Sequence, residues 1–157
     1  MDIQQALDYI YSFIDYEKEP KPRDAAHYDL RRMEELLARL GNPHLKARTV
    51  HIAGTKGKGS VAAMIASALT VSGYTTGLFT SPHLHFFNER IRVDDRLISD
   101  RELVALVEKL KSEVEAVNEK ATYGRLTTFE LITALGFAYF EQMGTDFRVI
   151  EVGLGGR

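Results

Sequence analysis

The chain has 157 residues, 45% hydrophobic and 27% charged, enough for one ordinary domain with a sizeable core and typical of a globular protein. A formal net charge of −2 and a pI near 6.2 give no basic excess that would draw it to nucleic acid or an anionic membrane, so any polyanion must be met locally. Zero cysteines exclude disulfides and thiolate metal sites and fit a reducing compartment.

The N-terminal stretch "MDIQQALDYIYSFIDYEKEP" has no basic region leading into an unbroken apolar core. No segment approaches the roughly 20 consecutive apolar residues of a membrane span. A cytoplasmic setting is expected. Ile3, Leu7, Ile10 and Ile14 recur at helical spacing, as do Leu30, Met33, Leu36, Leu37 and Leu40, so two helices are predicted. Between them "EKEPKPRD", Glu17 to Asp24, interrupts the periodicity with charge and two prolines and is expected to be a mobile or substrate-facing loop. The second helix should stop at "LGNP", where Gly41 can take the left-handed conformation and Pro43 blocks continuation.

"RTVHIAG" reads as a short strand, "SVAAMIASALTVS" from Ser60 to about Ser72 as a helix stopped by Gly73, and "YTTGLFT" as a second strand. Strand, glycine loop, helix and strand make a βαβ unit with parallel strands. "RIRVDDRLIS" alternates around Asp94 and Asp95 and suggests a small hairpin outside the main sheet. Leu103, Leu106, Val107, Leu110, Val114 and Val117 predict a third amphipathic helix. A fourth starts near "LTTFE", where Thr127 and Glu130 have capping-box spacing, and runs to about Met143. "FRVIEVG" is another buried-type strand, followed by "GLGGR". The fold class is therefore α/β with a mostly parallel sheet. Three parallel strands ending in a glycine-rich loop suggest a fragment of a longer enzyme.

Three places carry chemistry. The phosphate-loop pattern G-x-x-x-x-G-K-[ST] fails in "HIAGTKGKGS", because Ile52 takes the distal glycine position and Gly59 the hydroxyl position after Lys58. The physics survives: Gly54, Gly57 and Gly59 allow a tight turn, backbone N–H groups can converge on phosphate oxygens, and the following helix adds its positive end. Lys58 would neutralise the β- and γ-phosphates, and Ser60 offers a hydroxyl; the alternative is a glycine-rich turn without a ligand. In "FTSPHL" the Ser81 hydroxyl follows a strand end, where ligands gather in open parallel sheets, and can ligate Mg²⁺ or simply start a Ser-Pro turn. His83 and His85 form a lone H-x-H, weak evidence for zinc. Glu151, ending the apolar run Val149-Ile150, has the placement of a Mg²⁺-holding acid, the alternative being a solvated strand end. For Glu130, the capping box and a ligand role both stand.

Together and in this order, "HIAGTKGKGS", "TSPHLHFFNERIRV", "TTFE" and "VIEVGLGGR" strongly resemble the N-terminal part of the folylpolyglutamate synthases, including bacterial enzymes that double as dihydrofolate synthase, within the wider Mur-ligase-like ATP-dependent ligases. The match runs from "LRRMEELLARLGNP" to the last residue. The resemblance implies a Mur-ligase central-domain fold and ATP-dependent ligation of L-glutamate to a folate or dihydropteroate carboxylate through an acyl phosphate. It implies that Thr55, Lys56, Gly57, Lys58, Gly59 and Ser60 form the ATP loop, although many members have Asn where Lys56 stands, with Lys58 catalytic. It makes Ser81 and Glu151 Mg²⁺ ligands, and Thr127, Thr128, Phe129 and Glu130 part of a stretch contacting the pterin substrate. Residues around His83 to Arg90 match a loop shaping the folate site. Residues 1–157 would be the N-terminal part of the ATP-binding domain, with a helical segment over 1–48. The rest of that domain, with a Mg²⁺-binding histidine and a carbamylated lysine, and a C-terminal domain for glutamate would follow Arg157. The complete enzyme is expected to be monomeric, the chain alone inactive. A phosphotransferase and a non-catalytic nucleotide-binding module are the rival readings.

Overall fold

The structure, a computed structural model, describes residues 1–16 and 29–153. The expected proline loop over residues 17–24 and the terminal residues 154–157 lie outside the described residues. Along the chain run α1 (Ile3–Tyr11), α2 (Leu30–Arg39), β1 (Arg48–Ile52), α3 (Lys58–Val71), β2 (Thr76–Phe79), β3 (Ile91–Val93), β4 (Arg96–Leu97), α4 (Asp100–Lys120), α5 (Thr128–Gln142) and β5 (Phe147–Glu151). The chain divides into two compact units, one of residues 1–43 and 101–138, the other of 44–100 and 139–157.

The first unit is helical. α1 opens with a reciprocal cap: the Asp2 carboxylate accepts from the Gln5 N–H at 2.8 Å, and the Gln5 side chain accepts from the Asp2 N–H at 2.9 Å. Its inner face buries Ala6 and Ile10 completely. The helical pattern through Ile14 overran the helix, which closes at Ser12, whose N–H and hydroxyl both donate to the Tyr9 carbonyl. Ile14 forms an isolated parallel bridge with Thr127 instead. α2 buries Met33, Leu36 and Leu37 and stops before Gly41, which is left-handed at φ +81°. α4 buries the six apolar residues that its 3.6-residue spacing singles out, Leu103 to Val117, each contributing about 1.5–3 kcal/mol when fully withdrawn from water.

The second unit is a five-stranded sheet in the order β1-β5-β2-β3-β4. β1, β5 and β2 are parallel, as the βαβ reading requires. The hairpin is not outside this sheet: β3 pairs antiparallel with β2, Phe79 opposite Ile91 and Gly77 opposite Val93, making the sheet mixed. The physical reason is burial, since Ile91 and Val93 are 0% and 4% exposed and their backbone groups need partners there. Asp94 and Asp95 take φ +49° and +64° at the hairpin turn, and the Asp94 carboxylate accepts from the Thr76 N–H at 2.8 Å. α3 packs on the parallel strands through Ala62, Ala66, Leu78 and Val149, flanked by Val50, Ile52, Ile65 and Leu69. Small alanines let the helix approach the sheet closely.

Register aligns the strand ends. Ile52 pairs with Glu151 and Ile150 with Phe79, so the carboxyl ends of β1, β5 and β2 lie level and side by side. The Val152 N–H donates to the Ile52 carbonyl at 2.9 Å, extending the pairing by one step.

Candidate functional site

Because those three strand ends are level, the segments leaving them share one edge of the sheet: the glycine loop after β1, Ser81 after β2 and Glu151 at the end of β5. Ligands of open parallel sheets collect at such an edge. α3 starts at Lys58, two residues before the expected Ser60, because Gly57 adopts φ +73° as its N-cap, a conformation that costs glycine little and β-carbon residues more. No side chain caps this end, so the positive end of the helix macrodipole faces the loop. Lys58 is half-buried, its stem over the loop: Cγ lies 3.8 Å from where a β-carbon on Gly54 would stand. Thr55, Lys56 and Ser60 are exposed.

Glu151 joins these segments. It is 6% exposed, which removes the solvated strand end as an explanation. Its Oε2 accepts from the Ser81 N–H at 3.1 Å. The same oxygen would lie 3.4 Å from a β-carbon on Gly59, so the carboxylate sits against the first turn of α3. A buried carboxylate needs compensation, and here one N–H and the helix end supply it. Among the described residues no group of three or more His, Cys, Asp or Glu is arranged to hold a metal. One carboxylate and one hydroxyl suit Mg²⁺, which commonly takes one or two protein oxygens and completes its shell with water and phosphate.

The segment after Ser81 is held by its own charges. The Glu89 carboxylate accepts from the N–H groups of Leu84, His85 and Phe86 at 2.7, 2.9 and 3.0 Å. Those N–H bonds, Leu84 and Phe86 foremost, lower its pKa to about 2. Arg90, 2% exposed, donates its Nε–H to His83 Nδ1 at 2.9 Å. His83 is half-buried, whereas His85 is exposed, with Nδ1 3.7 Å from Glu89 Oε1.

Thr127, Thr128, Phe129 and Glu130 belong to the helical unit. The expected capping box is present: the Glu130 N–H donates to Thr127 Oγ1 at 3.2 Å, and Glu130 Oε2 accepts from the Thr127 N–H at 2.8 Å. Thr128 is buried, its hydroxyl donating to the carbonyls of Phe13 and Ile10 at 3.0 and 3.3 Å. Phe129 is half-buried. Sequence reasoning missed Arg32, whose Nε–H lies 2.9 Å from both Glu130 oxygens. The available signal was a cation one turn before Leu36, on the apolar stripe of α2.

No family model matches the chain. It is 51% identical over 129 residues to the dihydrofolate synthase/folylpolyglutamate synthase of Bacillus subtilis, covering 82% of the chain and 30% of that protein. It is 44% identical over 156 residues to the folylpolyglutamate synthase of Lacticaseibacillus casei, covering 99% of the chain and 35% of the relative. A solved folylpolyglutamate synthase complex with AMPPCP and folate superposes with a TM-score of 0.86 at 42% identity, over 99% of the chain and 36% of that structure. The chain thus spans about a third of the length of the curated relatives it matches.

Proposed function

We propose that this chain, which corresponds to the N-terminal part of the folylpolyglutamate and dihydrofolate synthases, is the nucleotide-holding part of an ATP-dependent ligase joining L-glutamate to a folate or dihydropteroate carboxylate. The observation that carries the reading is Glu151: a buried carboxylate lying against the first turn of α3 and tied to Ser81. A turn serving structure alone has no need of such an acid. Ser81 and Glu151 would hold Mg²⁺, which when bound offsets phosphate charge and orients ATP.

The chemistry starts from a poor leaving group. A carboxylate oxygen attacks the γ-phosphorus of ATP and ADP departs, leaving an acyl phosphate. The glutamate amine then attacks the acyl carbon, phosphate leaves, and the amine loses a proton. The chain's own contribution is positioning and charge: backbone N–H groups from Gly57 to Ser60 and the Lys58 ammonium face the charge spread over the moving phosphoryl group. Thr55 and Lys56 would contact the nucleotide, and the Thr127–Glu130 turn would contact the folate-type acceptor. The remaining domain and a glutamate-binding domain would complete the site in a monomeric cytoplasmic enzyme, as amine attack must outrun hydrolysis of the acyl phosphate. The test is Glu151→Gln in the complete protein: turnover falls at low Mg²⁺ and recovers in part as Mg²⁺ is raised. An unchanged Mg²⁺ dependence removes Glu151 from this role.

A further inference from the structure

We infer that Arg32, in the helix where the family match begins but outside the four motifs that carry the resemblance, is the positioning residue for the acceptor-contacting turn at the start of α5; this rests on the ligase reading of the proposed function. The turn first satisfies its own polar groups. Glu130 Oε2 accepts from both the N–H and the hydroxyl of Thr127, at 2.8 and 3.0 Å. Thr128 spends its N–H on the Ile14 carbonyl at 3.0 Å and its hydroxyl on the end of α1. Thr127 and Thr128 are 5% and 2% exposed. These side chains build the turn, and Phe129 beside them is half-buried.

A capping box alone fixes a helix start only relative to itself. Arg32 ties it to a second element. Its Nε–H lies 2.9 Å from each Glu130 oxygen, with the two side chains 7% and 15% exposed. The guanidinium reaches further: Nη1 would lie 3.4 Å from a β-carbon on Gly124, in the turn that leads into α5. One planar cation thus holds the carboxylate with one N–H and abuts the preceding turn with another arm, a division of labour that a lysine ammonium lacks. With the backbone of α5 anchored to α1 through Thr128 and to α2 through Glu130, Phe129 has a fixed point of departure on both sides.

The test uses the complete protein with Arg32→Met and the charge-keeping Arg32→Lys. In Arg32→Met, amide exchange over residues 126–131 should quicken by about tenfold or more while α3 and β5 keep their protection. The KM for the folate-type acceptor should rise by about tenfold or more with KM for ATP and kcat nearly unchanged, Arg32→Lys falling between. Two results would overturn the inference: exchange and acceptor KM both unmoved, or KM values for ATP and acceptor rising together, the mark of a general loss of structure. A wild-type protein with no acceptor-dependent turnover would overturn the ligase reading and this inference with it; that outcome is visible before any variant is made.

Discussion

Replacing Lys58 by alanine should lower ATP-dependent ligation by the complete protein by about two to three orders of magnitude, the scale on which a preorganised charge or donor acts on a transition state. The fold should survive, because Lys58 is only half-buried and sits in the first turn of α3, where alanine is a good helix former. The loss should appear in kcat and kcat/KM together if, as proposed, the ammonium meets charge that grows as the phosphoryl group moves. Steady-state kinetics with a melting curve for each protein separate the two effects. Turnover within a few-fold of wild type would take Lys58 out of the mechanism.

The largest stability loss is expected at Gly77→Ala. Gly77 is in β2, between β5 and β3, opposite Arg148 on one side and Val93 on the other. A β-carbon there would lie 2.6, 2.8 and 2.9 Å from three ring atoms of Phe140, which is 0% exposed. Such distances demand movement, and a fully buried ring has nowhere to go without opening a void behind it. Overpacking of this kind costs about 1–3 kcal/mol, sometimes more. Gly77→Ala should therefore lower the urea midpoint of the chain clearly, and an unchanged midpoint would mean that Phe140 has room to swing aside. Glycine is placed here by the neighbour's bulk, since its backbone is an ordinary strand.

Much of the fold was legible in the sequence, for identifiable reasons. Glycines punctuate strand, loop and helix around residues 48–80, and the period of Leu103 to Val117 named the buried stripe of α4. The hairpin at Asp94-Asp95 was legible as a hairpin, but alternation says that Ile91 and Val93 need covering, without saying which strand covers them. Ile14 shows the converse: helical spacing continues through it, while a hydroxyl at Ser12 ends the helix first. The phosphate-loop spelling failed, yet glycine spacing and the family resemblance still marked "GTKGKGS" as a candidate ATP loop, and register adds that Glu151 lies level with Ile52, the residue two before Gly54. The Ser81–Glu151 and Arg32–Glu130 contacts, 70 and 98 residues apart in sequence, arise only when distant segments meet, so no local pattern encodes them.

Ser81, Glu151, the uncapped start of α3 and Lys58 are proposed to serve one end, the activation of a carboxylate that glutamate then captures. Phosphate release from ATP by the complete protein, measured with and without L-glutamate and with dihydropteroate and tetrahydrofolate as acceptors, tests this most directly. Release should require both an acceptor and glutamate, with a product one glutamate heavier. ATP turnover indifferent to glutamate, leaving a stable phosphorylated product, would contradict carboxylate activation for ligation and make the protein a phosphotransferase.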